Sequence, residues 1–175
     1  MRLPAGYHYV HLPETGSTID EAMERALSGG DWVVIADRQT AGRGQYGRAF
    51  SSEPGGLYLG MSWRPNAADV EKTPELTAVA GRAVRDAVEA LTGVRPDIKP
   101  PNDLLIRGRK ICGILTEARA GAEFVMVFGI GVNISNRFPP ELQGIAGSLL
   151  ELTGTAPEPE ALAEEIITRL YEALL

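Results

Sequence analysis

Apolar and polar positions change period several times along the chain, and each change marks an element. Tyr7 to Leu12 is rich in aromatic and branched residues and predicts a first strand. From Ser17 the pattern turns helical. "STIDEAMERALSGG" has a polar cap at Ser17 or Thr18, acids in its first turn and Gly29-Gly30 as its stop. Asp31 to Asp37, "DWVVIAD", predicts a buried strand, Arg38 to Ser52 a long loop, and Gly56 to Trp63 a second central strand. The clearest helix has Thr73 as its cap and Pro74 at its first position. Leu76, Val79, Ala80, Ala83, Val84, Ala87, Val88 and Leu91 then recur at helical spacing before Gly93.

The second half reads the same way. "DLLIRGRKICGILTEA" predicts a hairpin turning at Arg107-Gly108, and "EFVMVFGIGVNI" another buried strand. Leu162, Ile166, Leu170, Tyr171 and Leu174 mark a closing amphipathic helix. No internal repeat or linker interrupts the series, so one mixed domain is expected.

Composition narrows the function classes. A chain of 175 residues with 44% hydrophobic content buries a substantial core. Its net charge of −6 supplies no global basic field, which argues against a nucleic-acid polymer as partner. Cations are nevertheless concentrated in "RGQYGR" and "RGRK", which suits a small anionic ligand. The single cysteine, Cys112, permits no internal disulfide and no cysteine cluster for zinc. Neither a secretory signal nor a membrane-spanning run is present, so a cytoplasmic protein is expected.

"GRGQYG", Gly42 to Gly47, is a literal G-x-G-x-x-G. A dinucleotide site also needs a helix opening inside the motif and an acidic residue roughly 20 positions later. Pro54, Gly55-Gly56 and a return to strand periodicity follow instead, and no suitable acid is present. The loop is better read as an anion cradle. Glycines let backbone N–H groups converge, and Arg43 and Arg48 can grip carboxylate or phosphate.

Two further segments carry chemistry. "KPPNDLLI" sets Lys99, two rigid prolines, Asn102 and Asp103 before a strand. Lys99 suits a phosphate, and Asp103 suits a magnesium ion or a partner side chain. In "GRKICGIL", Lys110 and Gly113 stand three apart, on opposite strand faces unless a bulge intervenes. "GIGVNIS" ends an apolar strand with Asn133, a donor and acceptor suited to a base edge.

In order and spacing, "GSTIDEA", "QTAGRGQYGRAF", "KPPNDLLIRGRKICGIL", "GIGVNIS" and "IAGSLLELTG" together resemble the catalytic domain of biotin protein ligases, over nearly the whole chain. The resemblance implies an α+β fold like that of class II aminoacyl-tRNA synthetases, with a mixed, largely antiparallel sheet and packed helices. It implies one catalytic domain over residues 1–175, with neither an N-terminal DNA-binding domain nor a C-terminal β-domain. The implied activity joins biotin to ATP with Mg²⁺, releases pyrophosphate, and transfers biotin from biotinyl-5′-AMP to a lysine of a carboxylase's biotin carrier domain. DNA and membrane partners are not expected; a homodimer is compatible with the family.

By the same resemblance Ser17, Thr18, Gln39, Gly42, Arg43 and Gly113 contact biotin, and Lys110 lies by the carbonyl that becomes acylated. Arg43, Lys99 and Lys110 supply catalytic charge. Gly44, Gly47, Arg48, Phe50, Asn102 and Asn133 serve ATP or the adenylate, and Asp103 the metal. The chain departs from the family pattern at Ile19, a common asparagine, at Gln45, a common arginine, at Phe50, a common tryptophan, and at Pro100, a frequent aromatic. Competing readings are a lipoate or octanoate ligase or transferase of the same fold, and a non-catalytic biotin-binding remnant. Cys112 as an acyl-transfer nucleophile is weighed against core packing, which its apolar strand favours.

Overall fold

Seven strands form one sheet in the order β1-β2-β3-β7-β6-β5-β4. The computed structural model describes residues 1–175, apart from the side chain of Ala67. β1 (Tyr7–Leu12) runs parallel to β2 (Asp31–Ala36), with α1 (Thr18–Ser28) crossing between them. Every other pairing is antiparallel: β3 (Leu57–Trp63), β4 (Asp97–Lys99), β5 (Asp103–Ile106), β6 (Arg109–Ala120) and β7 (Phe124–Val132). The expected α+β architecture with a largely antiparallel sheet is the one observed.

One face of the sheet carries α3 (Thr73–Thr92) and α5 (Pro159–Leu174). Leu59, Met61, Phe128, Ile130, Cys112 and Ile114 point to that side and form the main core with Val84, Val88, Ile166 and Leu170. These positions alternate along each strand, as the two-residue period of a strand requires. The other face is covered in part by α1, through Ile19, Ala22, Met23 and Ala26 over Val34, Val125 and Val127. The rest of that face is left to the functional site. Short α2 (Ala67–Val70) and α4 (Leu149–Thr153) complete the fold.

Most elements lie where the periodicity puts them. The β5–β6 turn falls at Arg107-Gly108, both at positive φ (50° and 75°), the geometry of a tight two-residue hairpin. One detail is corrected. Thr73 does not cap α3; Lys72 occupies that position, and the Thr73 hydroxyl donates back to the Val70 carbonyl at 2.6 Å. Leu91, at the end of the apolar stripe, is exposed. Among the described residues no helix is long and apolar enough to cross a membrane.

Candidate active site

The site begins with missing side chains. Gly129 and Gly131 stand two apart on β7 and share a face; pairing places Gly60 beside Gly129 and Gly113 beside Gly131. Four glycines on three adjacent strands leave a bald strip under α1 and the glycine-rich loop. A Cβ at Gly60 would stand 2.3 Å from the Thr18 carbonyl oxygen, and one at Gly129 2.4 Å from Ile19. One at Gly131 or Gly113 would lie 2.5 or 2.8 Å from the Phe50 ring. Such close approach is what glycine in a strand interior permits. Above this floor opens a cavity of about 320 Å³.

β6 delivers the cation. Its register against β5 shifts between Leu104 and Leu105, so Leu104 pairs with Cys112 and Leu105 with Lys110. Ile111 is the extra residue of this bulge, and Ile111 and Cys112 both turn into the main core. Lys110 and Gly113 therefore share the cavity face: a Cβ at Gly113 would lie 3.2 Å from the Lys110 Nζ. The backbone of Lys110 is fixed from outside the sheet, its N–H donating to Ile145 and its carbonyl accepting from Gly147. Its ammonium lies 2.8 Å from Asp103 Oδ1 and 5.6 Å from the centre of the Phe50 ring. Asp103 thus has a side-chain partner, one of its two expected uses. Beside it, Asn102 donates to the Ile114 carbonyl at 2.9 Å and accepts the Ile114 N–H on its backbone oxygen at 3.0 Å.

α1 contributes its first turn. Ser17 and Thr18 are buried on the cavity wall. The Ser17 hydroxyl makes no capping bond and remains available to a ligand. Thr18 donates from its N–H (2.8 Å) and hydroxyl (3.1 Å) to Gln39 Oε1, and Gln39 Nε2 donates to Ser52 Oγ at 2.9 Å. Ser52 then donates to the Phe50 carbonyl at 3.1 Å. This chain ties the helix start to the base of the loop.

The glycine-rich loop is a small hairpin. Phe50 N–H donates to the Gly42 carbonyl and Gly44 N–H to that of Arg48, with Arg43 bridged to Ala49. No helix opens within it beyond one 3-10 turn at Gln45–Gly47, as expected once a dinucleotide site is rejected. A Cβ at Gly42 would strike Ser52 Oγ at 2.6 Å and the Phe50 carbonyl at 2.8 Å, so only glycine closes the hairpin base. Tyr46 at the tip is 91% exposed and held at φ 59°. Arg43 forms two forked ion pairs, to Asp20 at 2.8 and 2.9 Å and to Glu117 at 3.0 and 3.1 Å. These bonds push its guanidinium further into the charged form, and the Asp20 carboxyl falls below its ordinary value chiefly through the bond from Arg43.

Of the residues singled out in the sequence, Ser17, Thr18, Gln39, Arg43, Gly44, Arg48, Phe50, Asn102, Asp103, Lys110 and Gly113 line this one cavity. Four do not. Gly42 lies behind the wall, and Gly47 is on the loop tip at φ 71°. Lys99 is exposed on edge strand β4, directly across from Asp103. Asn133 is buried with both ends of its amide engaged, donating to the Lys110 carbonyl at 3.3 Å and accepting from Asn136 at 3.1 Å. Sequence reasoning missed the floor glycines Gly129 and Gly131, Ser52 at the base of the loop, and the carboxylates Asp20 and Glu117. The glycines had a signal, since "GIG" in an apolar strand puts both on one face.

Two chemistries are constrained. Cys112 is completely buried on the core face, and burial pushes its thiol well above the ordinary range, so it offers no nucleophile. Among the described residues no three His, Cys, Asp or Glu side chains come together as a metal cage. Among the described residues Asp103 is the only carboxylate on the cavity wall, and it is drawn to Lys110.

The chain that builds this cavity is similar in sequence and fold to known proteins. The model of the biotin/lipoate A/B protein ligase family matches residues 10–134. The chain belongs to that family. Among family members with curated names, the bifunctional ligase/repressor BirA of Bacillus subtilis is 38% identical over 170 residues, 93% of this chain and 52% of the relative. The biotin–[acetyl-CoA-carboxylase] ligase of Mycobacterium tuberculosis is 37% identical over 171 residues, 94% of this chain and 63% of the relative. This chain thus spans about half to two thirds of the length of these relatives. Among solved structures, the Aquifex aeolicus biotin protein ligase in complex with biotin and ATP superposes with a TM-score of 0.81 at 31% identity, covering 95% of this chain and 69% of that one. The Leishmania major ligase with biotinyl-5-AMP gives 0.78 at 26% identity, covering 97% and 74%.

Proposed function

We propose that this chain is the catalytic unit of a biotin protein ligase. It would form biotinyl-5′-AMP from biotin and ATP and pass biotin to a lysine of a carboxylase's biotin carrier domain. The observation that carries the reading is the cavity itself: a floor cleared by paired glycines, polar groups of Ser17, Thr18 and Gln39 at one end, and Lys110 beside Gly113 at the other.

In the first half-reaction a biotin carboxylate oxygen attacks the α-phosphorus of ATP. The bond to the β-phosphate oxygen breaks and pyrophosphate leaves. Two anions must meet, so the site's work is to supply cations and aligned donors. Lys110 is proposed to stand by the new carbonyl, with Asp103 aiming its ammonium. Arg48, which pairs with no carboxylate among the described residues, and Lys99 are proposed to meet phosphates, with Asn102 beside them. Phe50 is proposed to border the adenine, while the buried Asn133 holds the Lys110 segment from behind the wall. Mg²⁺ would arrive on the nucleotide and neutralise phosphate charge. In the second half-reaction the acceptor amine attacks the mixed anhydride carbonyl and AMP departs with the bonding electrons; the amine's proton passes to solvent.

ATP–pyrophosphate exchange tests the reading on the purified chain with biotin, lipoate, octanoate or no acid. Exchange driven by biotin alone is the expected result. Exchange driven by lipoate or octanoate would move the chain to another branch of the family. No exchange with any acid, despite measurable biotin binding, would make it a binding protein.

A further inference from the structure

The glycine-rich loop roofs the cavity, and its attachment is unequal along its length. The base is tied through Gln39 and Ser52, and the Phe50 ring rests on the glycine floor. The tip, Gln45–Gly47, makes no hydrogen bond outside the loop among the described residues. Between them, Arg43 alone reaches out, bridging to α1 through Asp20 and to β6 through Glu117.

Its four bonds engage four of the five N–H donors that a guanidinium possesses. One cation meets two carboxylates, so an anionic ligand reaching Arg43 would find its charge already cancelled. Arg119, 3.7 Å from Asp20, offsets the excess negative charge from the far side. Asp20 and Glu117 do not line the cavity, although each directly flanks a wall: Asp20 follows Ile19, and Glu117 lies two residues past Leu115 on the same strand face. Arg43 and Glu117 are each less than one-third exposed, so the pair is screened less than an open surface bridge.

We infer that Asp20, Arg43 and Glu117 form a latch that holds the loop over the cavity, and that Asp20 and Glu117 are positioning residues that set how long a bound ligand stays enclosed. Arg43 acts through the loop it anchors rather than as the cation on the reacting carboxylate. The inference rests on the proposed function only for the identity of the ligand. The loop geometry stands without it.

The test compares the full chain with the variants Glu117→Gln, Asp20→Asn and the double variant. Amide hydrogen exchange over residues 42–50 is measured without ligand, together with Tm. Dissociation of preformed biotinyl-5′-AMP is then followed by dilution into excess unlabelled ligand. The double variant is expected to exchange in this loop roughly tenfold faster, with Tm nearly unchanged, and to release the adenylate faster by a similar factor. Unchanged loop exchange would overturn the latch. Faster exchange with unaltered release would overturn its control of retention. If the unmodified chain binds neither biotin nor the adenylate, the ligase reading fails, and hydrogen exchange alone decides whether the latch exists.

Discussion

The two faces of the sheet follow opposite rules. Toward α3 and α5, strand positions carry large side chains: Leu59, Met61, Phe128 and Ile130 are buried and interlocked. Toward α1 and the loop, the paired positions on the same strands are Gly60, Gly129 and Gly131: α1 packs closely over Gly60 and Gly129, and the cavity opens over Gly129 and Gly131. The first face stores stability and the second gives it up for access. Substitutions on the two faces should therefore separate folding from binding.

The largest effect is expected on the packed face. Phe128→Ala removes a fully buried ring and should cost about 3–5 kcal/mol, lowering Tm by roughly 10 °C in a thermal melt. A shift of only a degree or two would mean that the core relaxes into the space and that the contrast between faces is overstated. Lys110→Ala should act the other way. Its side chain is partly exposed on the cavity face, so Tm should barely move while biotin-dependent pyrophosphate exchange falls roughly 100-fold or more. Full exchange activity in that variant would remove Lys110 from the chemistry.

Gly131→Ala sharpens the comparison at a single methyl. The new Cβ would press on the Phe50 ring, which must lift from the floor into the cavity. Overpacking of this kind costs about 1–3 kcal/mol, here charged to the ligand, so biotin affinity by calorimetry should fall roughly 10- to 100-fold. The loop yields more readily than the core, so Tm should change little. If Tm falls steeply and affinity holds, the glycines serve strand packing rather than access.

What was readable in the sequence follows the same division. The packed face announces itself by pattern: alternation in β3, the apolar run of β7 and the helical stripe of α3 and α5 are local signals that tertiary packing then confirms. The cavity face was legible only where residue type was unusual. Lys110 and Gly113 stood out, but their shared face depends on a bulge at Ile111 that three-residue spacing alone argues against. Lys99 and Asn133 looked alike as polar residues near strand ends. One proved exposed on an edge too short to show any period, and the other is locked into backbone contacts with the Lys110 segment. Asp20 and Glu117 read as ordinary helix-start and strand charges. Their meeting with Arg43 joins residues 23 and 74 positions away in sequence, and no local pattern encodes that.

The smallest effect compares two carboxylates held low by arginines on opposite sides of the sheet. Asp86 on α3 is depressed chiefly by its bond from Arg85, and Asp20 chiefly by its bond from Arg43. For a depressed carboxyl, the stabilisation is present above the unfolded value, about 3.9, and is lost as pH falls through the lower folded value. Both groups are substantially exposed, so each pair should contribute no more than about 1 kcal/mol after screening. Asp20→Asn and Asp86→Asn should each lie slightly below the unmodified chain in Tm at pH 7, with the gap closing below about pH 4. A gap that persisted at pH 2 would assign the loss to packing instead of charge. The faces should still part company in ligand binding at neutral pH: Asp86→Asn leaves biotin release unchanged, whereas Asp20→Asn speeds it, because only Asp20 is coupled to the cavity's roof.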